Sequence, residues 1–259
     1  MPVAEVNGQQ INYSDTQTDG PAILWSHGFL MDHTMFDSQV AAFGADYRCI
    51  AWDERGFGAT PATSSFSYWD SADDAMALLD HVGVETAILA GMSQGGFLSM
   101  RAALRYPDRV DALVLIDTQS GVDEQEVLDG YRGMIGHWIG DEPLGEVAEM
   151  VAGMILGDPK LSAEWIAKWE QQRGPQMEFA AGALLDRDDI TDRLGELAMP
   201  VLSVHGEADQ AITIEMAEQI QAAVSDGRGL VRVPGAAHAP NMTDPELVNA
   251  GISQFLDTL

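Results

Sequence analysis

Short apolar runs bounded by glycine alternate along this chain with segments whose apolar residues recur every three or four positions. Val6–Tyr13 reads as two strands around an Asn7-Gly8 turn, a dipeptide that accepts the positive backbone angles of a tight hairpin. Ala22–Gly28 is an apolar run ending in glycine, and Met31–Gly44 follows it with helical spacing. Tyr47–Gly58 predicts a strand that runs into a glycine-rich loop. Trp69–Val84 predicts a helix with acids in its first turn, where the positive end of the helix dipole favours them. The rhythm repeats in strand Thr86–Ser93, helix Gly95–Pro107 and strand Val110–Thr118. Short strands alternating with amphipathic helices predict an α/β architecture, a mainly parallel sheet with helices on both faces.

Between residues 121 and 197 the strands stop. Four helical pieces replace them, Glu124–Gly140, Leu144–Gly157, Ala163–Gly174 and Gln176–Arg187, separated by Gly and Pro breaks. Strand and helix then return in Pro200–Asp209, Thr213–Val224, Gly229–Gly235 and Asp244–Leu259. This predicts a core made of residues 1–120 and 198–259, with 121–197 as a helical insertion over one end of the sheet.

Composition narrows the function. A chain of 259 residues suits one large domain, or one domain carrying an insertion. No apolar run approaches the ~20 residues of a membrane span. The start, MPVAEVNGQQ, has neither a basic region nor an apolar core of a secretion leader, so a cytoplasmic setting is expected. One cysteine, Cys49, leaves no intramolecular disulfide or thiolate cluster and reads as a buried core thiol. The net charge of −28, from 41 acids against 13 bases, argues against nucleic-acid and anionic-membrane partners, which need clustered Lys and Arg. A monomer or homodimer is expected, any dimer contact depending on salt.

The most informative stretch is Gly91-Met92-Ser93-Gln94-Gly95-Gly96, which lies where a strand should become a helix. A residue at the tip of such a sharp turn is crowded by neighbouring chain. Glycines two before and two after it remove the side chains that would collide. The turn lifts Ser93 clear of the sheet and sets it at a helix N-terminus, where free N–H groups favour developing negative charge. Those are the needs of a nucleophilic hydroxyl.

With this G-x-S-x-G turn in its strand-to-helix context, the chain resembles the α/β-hydrolase superfamily over essentially its whole length, and within it the esterase and 3-oxoadipate enol-lactonase-like group. The resemblance implies an α/β-hydrolase fold: an eight-stranded, mostly parallel sheet, helices on both faces, and a helical cap inserted after the sixth strand. It also implies the order serine, acid, histidine. Asp209, after the strand in Val204–Ile212, resembles the family's aspartate, and His238, in Pro234–Glu246, its loop histidine. Asp117, ending Leu113–Thr118, is the rival acid, because some members carry theirs there. The base frees the serine hydroxyl of its proton and the carboxylate orients the imidazole. The implied oxyanion donors are the backbone N–H groups of Gln94 and Phe29. His27 is expected to hold the oxyanion loop.

The remaining candidates are weaker. His81 and His205 read as structural, and Asp53, Glu54 and Arg55 as charges that shape a turn. His33, His137 and Trp138 are the candidate pocket residues. No His, Asp or Glu pair has convincing metal-ligand spacing and no glycine turn has the lysine of a phosphate loop, so no metal or cofactor is expected. The Met and Trp content of the insertion points to an apolar acyl or ring substrate. The implied activity is hydrolysis of a small ester or lactone through an acyl-serine. Alternatives are carbon–carbon bond hydrolysis, or haloperoxidase and perhydrolase chemistry, whose members usually have tryptophan where this chain has Phe29; a non-catalytic small-ligand receptor is the alternative of another class.

Overall fold

A computed structural model describes residues 1–259. Eight strands form one sheet: β1 (Val3–Val6), β2 (Gln9–Asp15), β3 (Ala22–Ser26), β4 (Arg48–Trp52), β5 (Ala87–Met92), β6 (Val110–Ile116), β7 (Val201–Gly206) and β8 (Gly227–Val233). Their spatial order is β1-β2-β4-β3-β5-β6-β7-β8. The first hairpin turns through Asn7 and Gly8 at φ 49° and 73°, and β2 joins β4 antiparallel; from β4 to β8 every pair is parallel.

Period-two alternation sorts the central strands between two cores. Ile23, Trp25, Ile88 and Ala90 face one side, where α1 (Asp37–Phe43) and the C-terminal helix pack. Leu24, Ile50, Ala87 and Leu89 face the other, against α2 (Tyr68–His81) and α3 (Gln94–Arg105). Each fully buried Leu or Ile stabilises the fold by about 1.5–3 kcal/mol, so burial on both faces explains why these strands read as unbroken apolar runs. Ser67 and Asp70 close a capping box that starts α2.

Four helices lie between β6 and β7: α4 (Gln125–Ile139), α5 (Gly145–Ile155), α6 (Pro159–Gln172) and α7 (Met177–Leu185). Beyond β7 come α8 (Ile214–Ala223), β8, the short α9 (Pro240–Thr243) and α10 (Pro245–Leu256). Two helices predicted from periodicity differ in detail. Met31–Gly44 divides, because Asp32 caps a 3₁₀ turn at His33–Phe36 before α1 begins. The last helix is preceded by α9, with Pro240 and Pro245 each in a first helical turn, where a missing N–H costs nothing.

Parallel strands deliver their C-terminal ends to one edge. Ser26 is in register with Trp52 and Gly91, Met92 with Ile116, and Gly206 with Val233. The loops carrying Phe29, Asp53, Ser93, Asp117, Asp209 and His238 therefore open on the same side, the ligand side of open α/β sheets.

Candidate active site

Ser93 occupies the turn between β5 and α3 with φ 51° and ψ −114°, a backbone conformation that L-residues rarely adopt. The surrounding glycines are required by close approach. A Cβ on Gly91 would sit 2.1 Å from Gly95 O, and one on Gly95 would sit 1.9 Å from Ser26 O. Gly96 has no room either, since its Cβ would meet the Thr118 hydroxyl at 2.5 Å, and that hydroxyl ties the turn down by donating to Ser93 O at 2.7 Å. As the first residue of α3, Gln94 has an N–H without an intrahelical partner, and Phe29 N–H is likewise unused in the protein's own hydrogen bonding.

The loop after β7 brings Asp209 to the loop after β8. Glu207 N–H and Ala208 N–H donate to Val233 O and Ala236 O, lacing the two loops together. Gly206 permits this closeness, because a Cβ there would lie 2.2 Å from Ala237 O. His238 Nδ1 donates to Asp209 Oδ2 at 2.7 Å, and Asp209 Oδ1 accepts the N–H groups of Ala211 and Ile212 at 2.8 and 3.1 Å. Burial alone would raise the Asp209 pKa. The charge of His238 and the hydrogen bonds to the carboxylate outweigh it and hold Asp209 well below the usual carboxylate range. An ionised acid thus fixes the imidazole by one ring nitrogen. His238 and Ser93 line the same cavity, although Ser93 Oγ makes no hydrogen bond within the protein; nucleophile–base contacts often tighten only with substrate bound.

Asp117 does not reach His238. Its Oδ1 accepts Gly206 N–H at 2.9 Å, and its carboxyl is wholly buried. Burial, then the neighbouring charge of Asp209, pushes its pKa well above the usual range. His205 is equally buried and donates from Nε2 to Ile212 O at 2.8 Å. Asp117, His205 and Asp209 place one ligand atom each within 4.8 Å of one another; Asp117 Oδ1, His205 Nε2 and Asp209 Oδ2 are engaged with Gly206 N–H, Ile212 O and His238, while Asp117 Oδ2 and His205 Nδ1 are buried without a partner.

The charged turn after β4 is a scaffold. Asp53 accepts His33 N–H at 2.9 Å, His33 Nδ1 at 2.7 Å and Ala59 N–H at 2.9 Å. Arg55 pairs with Asp74 at 2.5 and 2.8 Å. His27 accepts Glu54 N–H at its Nε2 and donates from Nδ1 to Gly28 O, so it binds the oxyanion loop to this turn. Burial lowers its pKa, keeping the ring neutral for that double role. Cys49 is buried in β4, which pushes its thiol up.

Thirteen of the cavity's seventeen lining residues are hydrophobic, from the core and from α4, α5 and α7. The three pocket candidates from sequence are not in its wall. His33 is held aside by Asp53, His137 faces solvent on α4, and Trp138 packs edge-on against Trp169 at 5.6 Å, lining a separate small pocket. In their place stand Gln119, Asp123 and Tyr131, which the sequence did not single out, together with Met134 of the Met-rich insertion. Tyr131 and Met134 are three apart on α4, so helical spacing from Trp138 could have found them.

The His33–Asp53 pair makes a pH prediction. Burial alone would lower the His33 pKa; the hydrogen bond and charge of Asp53 outweigh it and raise it. A group whose folded pKa is raised contributes its stability in full below its unfolded value, about 6.5 for histidine, and loses it as pH rises through the folded value. His33→Gln should therefore lower the melting temperature more at pH 6 than at pH 9. Equal losses at both would mean that the pair carries no charge.

Residues 21–245 match the alpha/beta hydrolase fold family. The chain is 28% identical over 280 residues, 98% of both proteins, to a bifunctional esterase/perhydrolase of Acinetobacter calcoaceticus. It is 24% identical over 259 residues to 3-oxoadipate enol-lactonase 2 of Acinetobacter baylyi, covering 95% of this chain and 92% of that one. Among solved structures, a thermophilic esterase from Thermogutta terrifontis superposes with a TM-score of 0.87 at 29% identity, over 99% of this chain and 96% of the esterase.

Proposed function

The chain belongs to the alpha/beta hydrolase fold family, and from that premise we propose that it is a serine hydrolase of small, uncharged carboxylic esters or lactones. The observation that carries this reading is the 2.7 Å contact from His238 Nδ1 to Asp209 Oδ2 at the rim of an apolar cavity that also holds Ser93.

In the first half-reaction Ser93 Oγ attacks the carbonyl carbon while His238 Nε2 takes its proton. Asp209 keeps the other imidazole nitrogen protonated and stabilises the imidazolium. The N–H groups of Phe29 and Gln94, free of other partners, receive the oxyanion. Collapse breaks the bond to the alkoxy oxygen, which leaves with the proton from His238; in a lactone it stays tethered to the acyl chain. Water, deprotonated by His238, then attacks the acyl-serine, and the acid departs as the Ser93 hydroxyl is restored. These steps use only the chain's own groups. The block 121–197 acts as a cap over residues 1–120 and 198–259, because α4, α5 and α7 supply much of the cavity wall.

A second reading is supported by the name of the Acinetobacter calcoaceticus relative. Hydrogen peroxide in place of water would take the same acyl group and leave as a peracid. The test of both is acid or peracid release from short esters and lactones, followed with and without peroxide. Release that disappears in Ser93→Ala supports the serine pathway, and tight binding of esters with no release from any of them contradicts it.

A further inference from the structure

Three polar groups of the cavity wall, Gln119, Asp123 and Tyr131, have no part in the chemistry above. Asp123 has a partner on each carboxylate oxygen. Its Oδ1 accepts from Gln119 Nε2 at 2.9 Å and its Oδ2 from Arg187 Nη2 at 2.7 Å. The cation paired with Asp123 is Arg187. Its side chain is 1% exposed, its Nη1 donates to Leu184 O at 2.8 Å and its Nε to Gly121 O at 3.2 Å, and it lies over the Phe97 ring. No lysine or arginine lines the cavity itself. Two groups are left without partners, the Tyr131 hydroxyl and the Gln119 carbonyl oxygen.

We infer that Tyr131 and Gln119 form a neutral polar subsite that takes an uncharged oxygen function of the substrate, a ketone, ether or hydroxyl remote from the scissile carbonyl, and that the Asp123–Arg187 pair makes the same place reject a carboxylate. The inference rests on the Ser93 hydrolase reading and narrows its substrate. Tyr131 donates to the incoming oxygen, and Gln119 accepts from a hydroxyl. Burial, then the charge of Asp123, pushes the Tyr131 hydroxyl up to about 12, so it keeps its proton at any ordinary pH. A carboxylate placed here would give up its hydration, meet the Asp123 charge and find the guanidinium buried outside the cavity wall and already paired with Asp123. Desolvating an unpaired anion costs far more than one hydroxyl contact returns.

The test compares three p-nitrophenyl esters of matched shape: the hexanoate, the 5-oxohexanoate and the glutarate half-ester. The same three end groups are also placed on the alcohol side of the corresponding acetates, so that either orientation of substrate is read. In at least one series, the wild-type kcat/KM for the oxo ester should equal or exceed that for the alkyl ester. The carboxylate should fall about 100-fold below it, as an unpaired buried charge demands. Tyr131→Phe should cut the oxo-to-alkyl ratio about threefold to tenfold, the size of one net hydrogen bond. Asp123→Asn, by uncovering Arg187, should raise the carboxylate-to-alkyl ratio about tenfold or more at low salt. If that variant does not fold, the Tyr131→Phe ratio decides alone. A half-ester turned over as fast as the hexanoate, or ratios that the folded variants leave unmoved, overturns the subsite while the Ser93 reading stands. A wild-type protein that turns over none of the esters overturns both.

Discussion

Ser93→Ala is expected to lower kcat for short-chain ester hydrolysis by about a million-fold, the loss typical when a triad nucleophile is removed, while the melting temperature stays within about 2 °C. The two halves of this prediction have separate causes. Activity falls because the hydroxyl at the turn where β5 meets α3, beside the unpaired N–H groups of Gln94 and Phe29, is gone, and the neighbouring Thr118 hydroxyl is committed to the backbone carbonyl of residue 93. Stability is preserved because Ser93 Oγ makes no hydrogen bond within the protein, and alanine inherits the same strained backbone. Those N–H groups survive the substitution, so a rate above that in water should remain. Steady-state hydrolysis of p-nitrophenyl butyrate beside a thermal melt checks both halves. A variant that keeps more than about one hundredth of the activity would move the nucleophile elsewhere.

Asp209→Asn should lower kcat by about ten-thousand-fold, whereas Asp117→Asn should change it less than tenfold. Asparagine at 209 can present its amide NH₂ to His238 Nδ1 and so hold the imidazole in the tautomer that cannot accept the serine proton. Asp117 differs because burial and the Asp209 charge favour its protonated form, for which a neutral amide is a replacement of nearly the same shape. Its oxygen can still accept Gly206 N–H. An acid whose folded pKa is raised loses stability as pH climbs from its unfolded value toward the folded one. Asp117→Asn removes that cost and should hold or raise the melting temperature at pH 8. Turnover of the two variants, each with a melt at pH 8, separates the carboxylates. The assignment fails if Asp117→Asn is the inactive one.

How much of this was legible in the sequence follows from what each residue depends on. The sharp turn at Ser93 could be read because its glycines answer local collisions, such as Gly91 with Gly95 O and Gly95 with Ser26 O. The loops of Asp209 and His238 could be placed because parallel strands end at one edge, and the family resemblance supplied their pairing. The two-core sheet was legible in the unbroken apolar runs of β3 and β5. The cavity wall was not. Periodicity on α4 shows that Tyr131, Met134 and Trp138 share a side, but how far along the helix the cavity reaches depends on packing against Trp169, thirty-one positions beyond Trp138. His33 was misplaced for a similar reason: Asp53, twenty positions away, claims both its backbone N–H and its ring. Long-range partners of this kind leave no spacing to detect.

The measurement that bears most directly on the central claim is the intact mass of the wild-type protein and of Ser93→Ala after exposure to a fluorophosphonate. An activated serine displaces fluoride and keeps the phosphonyl group, so the account predicts one adduct on the wild type and none on the variant. No adduct on a folded wild-type protein, or an equal adduct on both, would contradict it.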